Sequence, residues 1–415
     1  MSTSSLTATH NIRMLPLLRA SQGMASSLSA CSVKRLRSLY STARQVHRSV
    51  FSPVIGLLAM TLLDLEALDE IALGATVLGT GGGGDPTLGK LMAQQAVARH
   101  GPIQLLPLDE VPDEEWIIPT AMMGAPTVLV EKIPSGTEVL DAFRMLERRL
   151  HCRAVATLSI EAGGVNSMIP MVVAASLGLP IVDADGMGRA FPEIQMVTPT
   201  LYGVSATPMA LADEKGNHVL LETPDNFWTE RLSRAVTIQM GCSANIALYA
   251  MQGAIAKRAL VKGTLSLARD IGHTLQTCRA HKRDPIEALT ALLRGRRLCE
   301  GKITDVRRRT ERGFARGEMD IAGTGRDSGA QCKISFQNEN LIFWRDGQPE
   351  VTVPDLITVV DEQTGLPITT EALKYGLRVV VLGLPCHPKW RTPEGLALVG
   401  PRYFGYEIDY VPLEQ

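Results

Sequence analysis

The chain has 415 residues, of which 45% are hydrophobic and 20% are charged, with a formal net charge of −1 at pH 7. This composition predicts a globular protein of two or three domains, and the near-neutral charge argues against a nucleic-acid partner. Seven cysteines are scattered without a Cys-x-x-Cys pair, which argues against a disulfide framework and against a structural zinc site. No apolar run has the length needed to span a bilayer, so we expect no membrane partner.

The first 59 residues differ in composition from the rest of the chain. No Asp or Glu precedes Asp64, whereas Arg and Lys are spread among many serines, which is typical of a mitochondrial presequence. Alternatively, Met60 is the true start, because Met60-Thr61-Leu62-Leu63-Asp64 leads directly into globular sequence, and this is the interpretation we favour. We therefore expect residues 1–59 to be a leader outside the fold. The expected location is cytoplasmic for a start at Met60 and mitochondrial if the leader is genuine.

Residues 60–225 alternate between helical and β-rich patterns. A helix with one apolar face is predicted between Leu65 and Ala75, with Asp64 capping its start. Short apolar runs then predict strands at 103–106, 116–118, 154–158 and 180–183, with helices at 139–150 and 169–177 between them. Such alternation favours an α/β sandwich domain that is built on a mostly parallel sheet.

The pattern changes twice in the C-terminal domain that we predict for residues 226–415. Residues 226–300 are helical in pattern, with helices expected at 244–256, 264–275 and 285–293. From residue 301 onwards, short strands alternate with turn signals such as Arg345-Asp346-Gly347, which predicts a small β-barrel-like part or a sandwich. The predicted fold class is therefore α/β, with a C-terminal domain of helices and a small barrel-like sheet.

The run Gly79-Thr80-Gly81-Gly82-Gly83-Gly84-Asp85-Pro86 follows the first predicted helix. Successive glycines let a backbone approach a ligand or another segment at distances that a Cβ atom forbids. Dinucleotide and Walker loops need a strand before their glycines, whereas a helical pattern precedes this run and the Lys-Ser/Thr ending is missing. We therefore favour a substrate-facing or packing turn over a phosphate loop, with Asp85 as its chemically active side chain.

Small and polar residues follow the predicted strands, and ligands bind at the carboxyl ends of parallel strands. The loop Met122-Met123-Gly124-Ala125-Pro126-Thr127 follows one strand and is equally well explained as a plain turn. After another strand comes Glu161-Ala162-Gly163-Gly164-Val165-Asn166-Ser167. Glu161 is a candidate general base if burial raises its pKa, or else a carboxylate bonded to its own turn. The N–H groups of the glycines are candidates for binding a cyclic amide.

Two further motifs carry reactive side chains. In Asp183-Ala184-Asp185-Gly186-Met187-Gly188-Arg189, two carboxylates share one face of an extended segment and are candidates for a divalent ion or for acid and base roles. An Asx-turn network held by Arg189 explains the same residues. Gly241-Cys242-Ser243-Ala244-Asn245 is expected to enter a helix, where Cys242 is a candidate nucleophile, although a buried inert thiol is the commoner case.

Together with Phe336-Gln337-Asn338-Glu339-Asn340 and the tail segment 391–402, these motifs resemble the S-methyl thiohydantoin desulfurase family over residues 60–415. The resemblance implies an N-terminal α/β domain and a C-terminal domain with a β-barrel-like part. It also implies hydrolytic removal of a methylthio group from a five-membered ring, giving a hydantoin and methanethiol.

For this chemistry we predict that the base and acid come from the carboxylates of Asp85, Glu161, Asp183 and Asp185. We expect Arg189 to hold a substrate carboxylate. The predicted substrate-binding residues are Gly81, Gly82, Gly83, Gly84, Gly163, Gly164, Asn166, Arg189 and Cys242. The cofactor is left open, with a divalent metal as one option.

Two other functions fit the same motifs. One is an ATP-dependent enzyme of the hydantoinase or oxoprolinase type, in which the glycine run would bind phosphate. The other is a non-catalytic subunit that binds a metabolite. In each case the expected partner is a small heterocyclic molecule, and we expect a homo-oligomer.

Overall fold

Two sheets organise the chain, and the computed structural model describes them over residues 61–124, 132, 134–311 and 314–413. The predicted leader, residues 1–59, and the part of the predicted loop at 125–127 lie outside the described residues. No helix in the described ranges is both long enough and apolar enough to cross a membrane.

The elements alternate along the first half of the chain, and strands dominate after residue 295. The helices are α1 Leu65–Leu78, α2 Thr87–His100, α3 Glu138–Leu150, α4 Gly164–Leu177, α5 Thr198–Leu201, α6 Asn226–Gln239, α7 Gly253–Ala259, α8 Thr264–His281, α9 Pro285–Leu293 and α10 Pro393–Val399. The strands are β1 Leu62–Leu63, β2 Ile103–Pro107, β3 Trp116–Gly124, β4 Ala154–Ser159, β5 Ile181–Asp185, β6 Met209–Ala212, β7 His218–Leu221, β8 Ser243–Ala247, β9 Met251–Gln252, β10 Val261–Lys262, β11 Arg296–Glu311, β12 Phe314–Gly323, β13 Gln331–Gln337, β14 Glu339–Arg345, β15 Gln348–Thr352, β16 Leu356–Asp361 and β17 Arg378–Leu384.

The first sheet has the strand order β1-β2-β5-β4-β3-β8-β6-β7. Its central strands β2, β5, β4 and β3 are parallel, and the flanking strands join antiparallel. Helix-connected parallel strands are covered on both faces, which explains why β4 and β5 are buried almost throughout. The predicted α/β layer with a mostly parallel centre is confirmed, and so are its four predicted strands.

The second sheet is antiparallel throughout, with the order β15-β14-β13-β12-β11-β17-β16, and it curls into a half-barrel. Successive side chains on its strands point to opposite faces. Phe343 faces the core inside the half-barrel, whereas its neighbour Ile342 packs into the core shared with the first sheet. The barrel-like C-terminal part predicted from the sequence is confirmed in this form.

The helix predicted at 244–256 is wrong. Residues Ser243–Ala247 form β8, which pairs antiparallel with β3, and only Gly253–Ala259 are helical. The apolar positions of this short alanine-rich run fit both a period of two and a helical period, so pairing with β3 decides the outcome. The C-terminal part of the chain therefore contributes strands to the first sheet, and the division at residue 225 stays a prediction.

Candidate functional site

A cleft lies at the carboxyl ends of β3 and β4, facing the second sheet. Its empty volume, including the open mouth, is about 820 Å³, and about 100 Å³ of this is available to the centres of water-sized molecules. The polar and charged lining residues are Glu161, Asn166, Glu193, Arg234, Asn338, Glu339 and Glu371.

The glycine run joins α1 to α2, so the helix predicted before the run is confirmed. Its carbonyl groups bind the second sheet, because the Asn340 N–H donates to the Thr80 carbonyl at 2.8 Å and the Thr370 N–H donates to the Gly81 carbonyl at 2.8 Å. The run therefore fixes the second sheet against the carboxyl edge of the first.

Gly82 leaves room for a carboxylate of the second sheet. A methyl group built on its Cα would lie 2.0 Å from Oε1 of Glu339, and 2.4 Å from the Cδ of that side chain. No residue larger than glycine fits there unless Glu339 moves. Gly82 therefore provides the space that the Glu339 side chain of β14 occupies, and we call this space the Gly82 seat.

The two glycine motifs also pack against each other. A methyl group on Gly83 would lie 2.7 Å from the Gly164 nitrogen, and the Val165 N–H donates to the Gly83 carbonyl at 2.9 Å. Such backbone-to-backbone contact requires glycine on both sides. It brings the start of α4, and with it the Glu161 turn, beside the seat of Glu339.

Glu161 follows β4 directly and lies in the wall of the cleft with 6% of its surface exposed. Its Oε1 accepts a hydrogen bond from Asn166 Nδ2 at 2.7 Å. Burial raises the pKa of Glu161 to about 7, although the hydrogen bonds from Asn166 and from the Phe191 backbone act in the opposite direction. A carboxyl group with this pKa exchanges protons readily near neutral pH.

Asn166 holds this region to β3. Its Oδ1 accepts from the Met122 N–H at 2.7 Å, and its Nδ2 donates to the Met122 carbonyl at 3.1 Å as well as to Glu161. The side chain therefore links the ends of β3 and β4, and orients the Glu161 carboxylate. It lines the cleft, and its role in substrate binding stays a prediction.

Glu339 is the second buried carboxyl group of the cleft, with 2% of its surface exposed. Burial, and then the nearby charge of Glu161, raise its pKa well above the usual value, while the charge of Arg189 partly opposes the increase. Its Oε2 has no hydrogen-bond partner within the described residues. The raised pKa favours the protonated form of Glu339, which also has an unused polar atom within the described residues.

The other charged residues of the lining are two further carboxylates, Glu193 and Glu371, and one arginine, Arg234. Glu193 accepts hydrogen bonds from Gln195 and from the Tyr403 hydroxyl, the latter at 2.7 Å. Glu371 is partly buried, and burial raises its pKa. Arg234 is the basic member of the lining, and it donates to Glu230 and, at 3.2 Å, to the Pro192 carbonyl.

Two of the predicted carboxylates cap helices. Asp85 is exposed, and its Oδ1 accepts from the N–H and the hydroxyl of Thr87 at 2.8 and 2.6 Å, at the start of α2. Asp183 accepts from the N–H groups of Leu265 and Ser266 at the start of α8. Neither residue lines the cleft, although Asp85 lies close enough to raise the pKa of Glu371 by its charge.

Asp185 and Arg189 lie behind the cleft rather than in its wall. The Asp185 carboxylate accepts from the N–H groups of Met187 and Gly188, and burial raises its pKa to about 7. The Arg189 guanidinium is fully buried and donates to the carbonyls of Ala190, Pro354, Asp355 and Asn340 and to the Thr80 hydroxyl. All five of its N–H groups are used within the chain, so it joins the glycine run to the second sheet and leaves no donor for a substrate carboxylate.

Cys242 does not begin a helix. It is exposed, has a φ of 64°, and lies in the turn between α6 and β8, outside the cleft lining. No group of three or more His, Cys, Asp or Glu side chains that could hold a metal ion occurs among the described residues.

The polar and charged cleft residues that were not predicted as site residues from the sequence are Glu193, Arg234, Asn338, Glu339 and Glu371. Glu339 lies within one of the motifs quoted above, but the motif gave no reason to connect it with Glu161. The available signal was the glycine run itself, because four consecutive glycines predict that another group approaches closely.

Comparison with known proteins agrees with this architecture. The N-terminal domain of the S-Me-THD-like family matches residues 66–223, and its C-terminal domain matches residues 224–413. A crystal structure of a protein from Chromobacterium violaceum is 25% identical, with a TM-score of 0.71, over 85% of this chain and all of that one. No curated protein sequence matches the chain. Because the two family domains together cover nearly all of the described residues, the chain belongs to the S-Me-THD-like family, that is, to the S-methyl thiohydantoin desulfurase family.

Proposed function

We propose that the protein hydrolyses the methylthio group of an S-methyl thiohydantoin, giving a hydantoin and methanethiol. The observation that carries the proposal is the pair of buried carboxyl groups, Glu161 and Glu339, in one cleft. Membership of the family supports the type of substrate. The pair supports the type of reaction, because addition of water to a ring carbon and expulsion of a thiolate need both a base and an acid.

The two groups differ in a way that assigns their roles. Two hydrogen bonds favour the charged form of Glu161, whereas Glu339 has an oxygen without a partner and a pKa raised further by its neighbour. When the pair holds one proton, these contacts favour its position on Glu339. Glu161 is the base and Glu339 is the acid.

The reaction then balances without a co-reactant. Glu161 removes a proton from water as the water oxygen bonds to the ring carbon that carries sulfur, and Glu339 protonates the ring nitrogen that receives the C=N electron pair. The C–S bond breaks as the C=O bond forms, and the hydroxyl proton returns to Glu339. The departing methanethiolate takes the proton from Glu161, which restores both side chains.

The ATP-dependent alternative fits the cleft less well. A phosphate-binding loop directs N–H groups at its ligand in a positive environment, whereas the Gly82 seat is occupied by the carboxyl group of Glu339. The non-catalytic alternative needs a separate measurement, since a binding subunit could have the same cleft.

The direct test is to incubate the full-length protein with a series of S-methyl thiohydantoins, and to follow methanethiol with a thiol reagent and hydantoin by chromatography. We expect one thiol per hydantoin, without ATP and with or without a chelator. Release that requires ATP would favour the oxoprolinase-type enzyme. Ring binding without release under any condition would favour the binding subunit.

Replacing Asn166 with alanine should lower kcat by about 10²-fold, because the base is no longer oriented. The hydrogen bond from Asn166 lowers the pKa of Glu161, so its loss should also move the acidic limb of the pH–rate profile to higher pH. Rates measured between pH 5 and 9 test this. A variant that loses stability but keeps the wild-type position of the acidic limb would show that Asn166 has a structural role alone.

The charge of the cleft predicts the preferred ring substituent. Glu193 and Glu371 face it in addition to the catalytic pair, and Arg234 is engaged by Glu230. We expect a substrate with a cationic side chain to have about tenfold higher kcat/KM than a matched carboxylate-bearing substrate at low salt, with the ratio falling as salt screens the charges. A preference for the carboxylate at low salt would contradict this prediction.

A further inference from the structure

A second cavity lies on the half-barrel, lined by residues of β11, β12 and β13 and by Phe404 and Tyr406. About 410 Å³ of it is available to the centres of water-sized molecules. Four arginines line it, namely Arg307, Arg308, Arg309 and Arg316, together with one acidic residue, Glu318. The lining is therefore strongly basic in a protein whose net charge is close to zero.

The pairing of the strands sets like charges opposite each other. Arg309 on β11 lies directly across from Arg316 on β12, and Arg316 lies across from Gln337 on β13. Residues directly opposite on neighbouring strands share a face of the sheet, and like charges in such positions destabilise it. An anion between these side chains would be attracted by both guanidinium groups.

Two buried donors in the same cavity have no partner. Gln337 is 3% exposed, and its Nε2 makes no hydrogen bond within the described residues; the same is true of the Arg316 Nε. A buried polar group without a hydrogen-bond partner lowers the stability of the folded state by about 1–3 kcal/mol. Native proteins therefore usually provide such a group with a partner, and this partner can be an ion or a ligand. The two donors belong to residues directly opposite each other on β12 and β13, which share one face of the sheet and both line the cavity.

The other charged groups are engaged within the chain. Arg307 pairs with Asp305, Glu318 and Asp320. Arg308 donates to carbonyl groups of the segment 370–373. Glu318, the acidic residue of the lining, also pairs with Lys333 at 3.1 Å. Arg316 and Gln337 are thus the residues that present unused donors to the cavity.

We propose that this cavity is a binding site for a small oxyanion with more than one negative charge, held by Arg316 and Gln337 and facing Arg309. The shared chemistry is that of phosphate esters and of polycarboxylates. The cavity is larger than an inorganic ion needs, and Phe404 and Tyr406 in its wall offer contact to an organic portion of the ligand.

The test uses the full-length protein with inorganic pyrophosphate and citrate as probes, titrated by calorimetry at constant ionic strength set with KCl. We expect saturable binding of at least one probe. Arg316→Gln and Gln337→Leu should each raise its Kd at least tenfold. The matched control is Arg378→Gln, which removes an exposed arginine of the same sheet that pairs with Glu362 instead, and this change should leave Kd unaltered.

The two probes separate the sources of the anion. Tighter binding of pyrophosphate indicates a phosphate ester, and tighter binding of citrate indicates a polycarboxylate. No saturable binding of either probe would overturn the proposal, as would equal affinity in wild type, Arg316→Gln and Gln337→Leu. If Gln337→Leu does not fold by circular dichroism, Arg309→Gln replaces it, because Arg309 is exposed and lines the same cavity.

Discussion

Replacing Glu161 with glutamine is expected to lower kcat by about 10²–10⁴-fold, which is the usual contribution of a general base. The amide keeps the shape of the side chain and can still accept the hydrogen bond from Asn166, but it cannot remove a proton from water. The fold should survive, because the change introduces no larger group. Methanethiol release under saturating substrate measures the effect.

The same substitution should make the protein more stable at alkaline pH. The pKa of Glu161 in the folded protein is about 7, above its ordinary value of 4.5, so between these two values the folded state binds more protons than the unfolded state. Stability therefore falls as pH rises through this range. The pKa difference corresponds to about 3 kcal/mol at pH 8, as an upper estimate. Wild type and Glu161→Gln should unfold with similar free energies at pH 4 and diverge by pH 8.

The pH dependence of the wild-type reaction follows from the same groups. The value of kcat/KM should rise as Glu161 ionises near pH 7, and should fall at higher pH where Glu339 loses its proton. Glu339→Gln should remove the alkaline limb and leave the acidic one in place. Asp113→Asn is the control, because Asp113 is exposed, pairs with Lys257 and lies outside the cleft lining.

Two outcomes would contradict this assignment. One is a Glu161→Gln variant with wild-type turnover. The other is a Glu161→Gln variant that loses turnover while its stability keeps the wild-type dependence on pH. The second result would mean that Glu161 is ionised across the whole range and is not desolvated by its surroundings.

Glu161 could be found from the sequence because its signal is local. It follows a short apolar run that is predicted as a strand, and the carboxyl edge of a parallel sheet is where ligands bind. The glycines at 163 and 164 reinforce the same position. Nothing beyond a short stretch of chain is needed to place this residue beside a cleft.

Glu339 could not be paired with Glu161 in the same way. It lies on β14, and only the tertiary contact between the two sheets brings it to the carboxyl edge of β4. For Arg189 the sequence-based prediction was wrong in the other direction. Its motif predicts contact with a ligand, but in the folded protein its N–H donors bind carbonyl and hydroxyl groups of the chain. Local patterns identify reactive residue types, whereas burial and the partners that approach from distant segments decide which of them face a substrate.

Replacing Gly82 with alanine is expected to reduce turnover nearly as much as removal of the acid. The new methyl group would lie 2.0 Å from Glu339 Oε1, so the carboxyl group has to leave its seat. The φ of Gly82 is not in the left-handed region, so the backbone tolerates alanine and the effect is steric. We expect kcat to fall by up to about 10²-fold. We also expect the free energy of unfolding to fall by about 1–3 kcal/mol because of overpacking.

A double-mutant cycle separates this explanation from a general loss of packing. In a Glu339→Ala background the methyl group at position 82 no longer meets the carboxyl group, so Gly82→Ala should cost little further stability, with a coupling of roughly 0.5–3 kcal/mol. Gly89→Ala on α2 is the matched control, because a methyl group there first meets Met168 Cβ at 3.1 Å and the position is helical. Additive stability losses for Gly82→Ala and Glu339→Ala would mean that the glycine run serves another contact, and that Glu339 reaches the cleft without it.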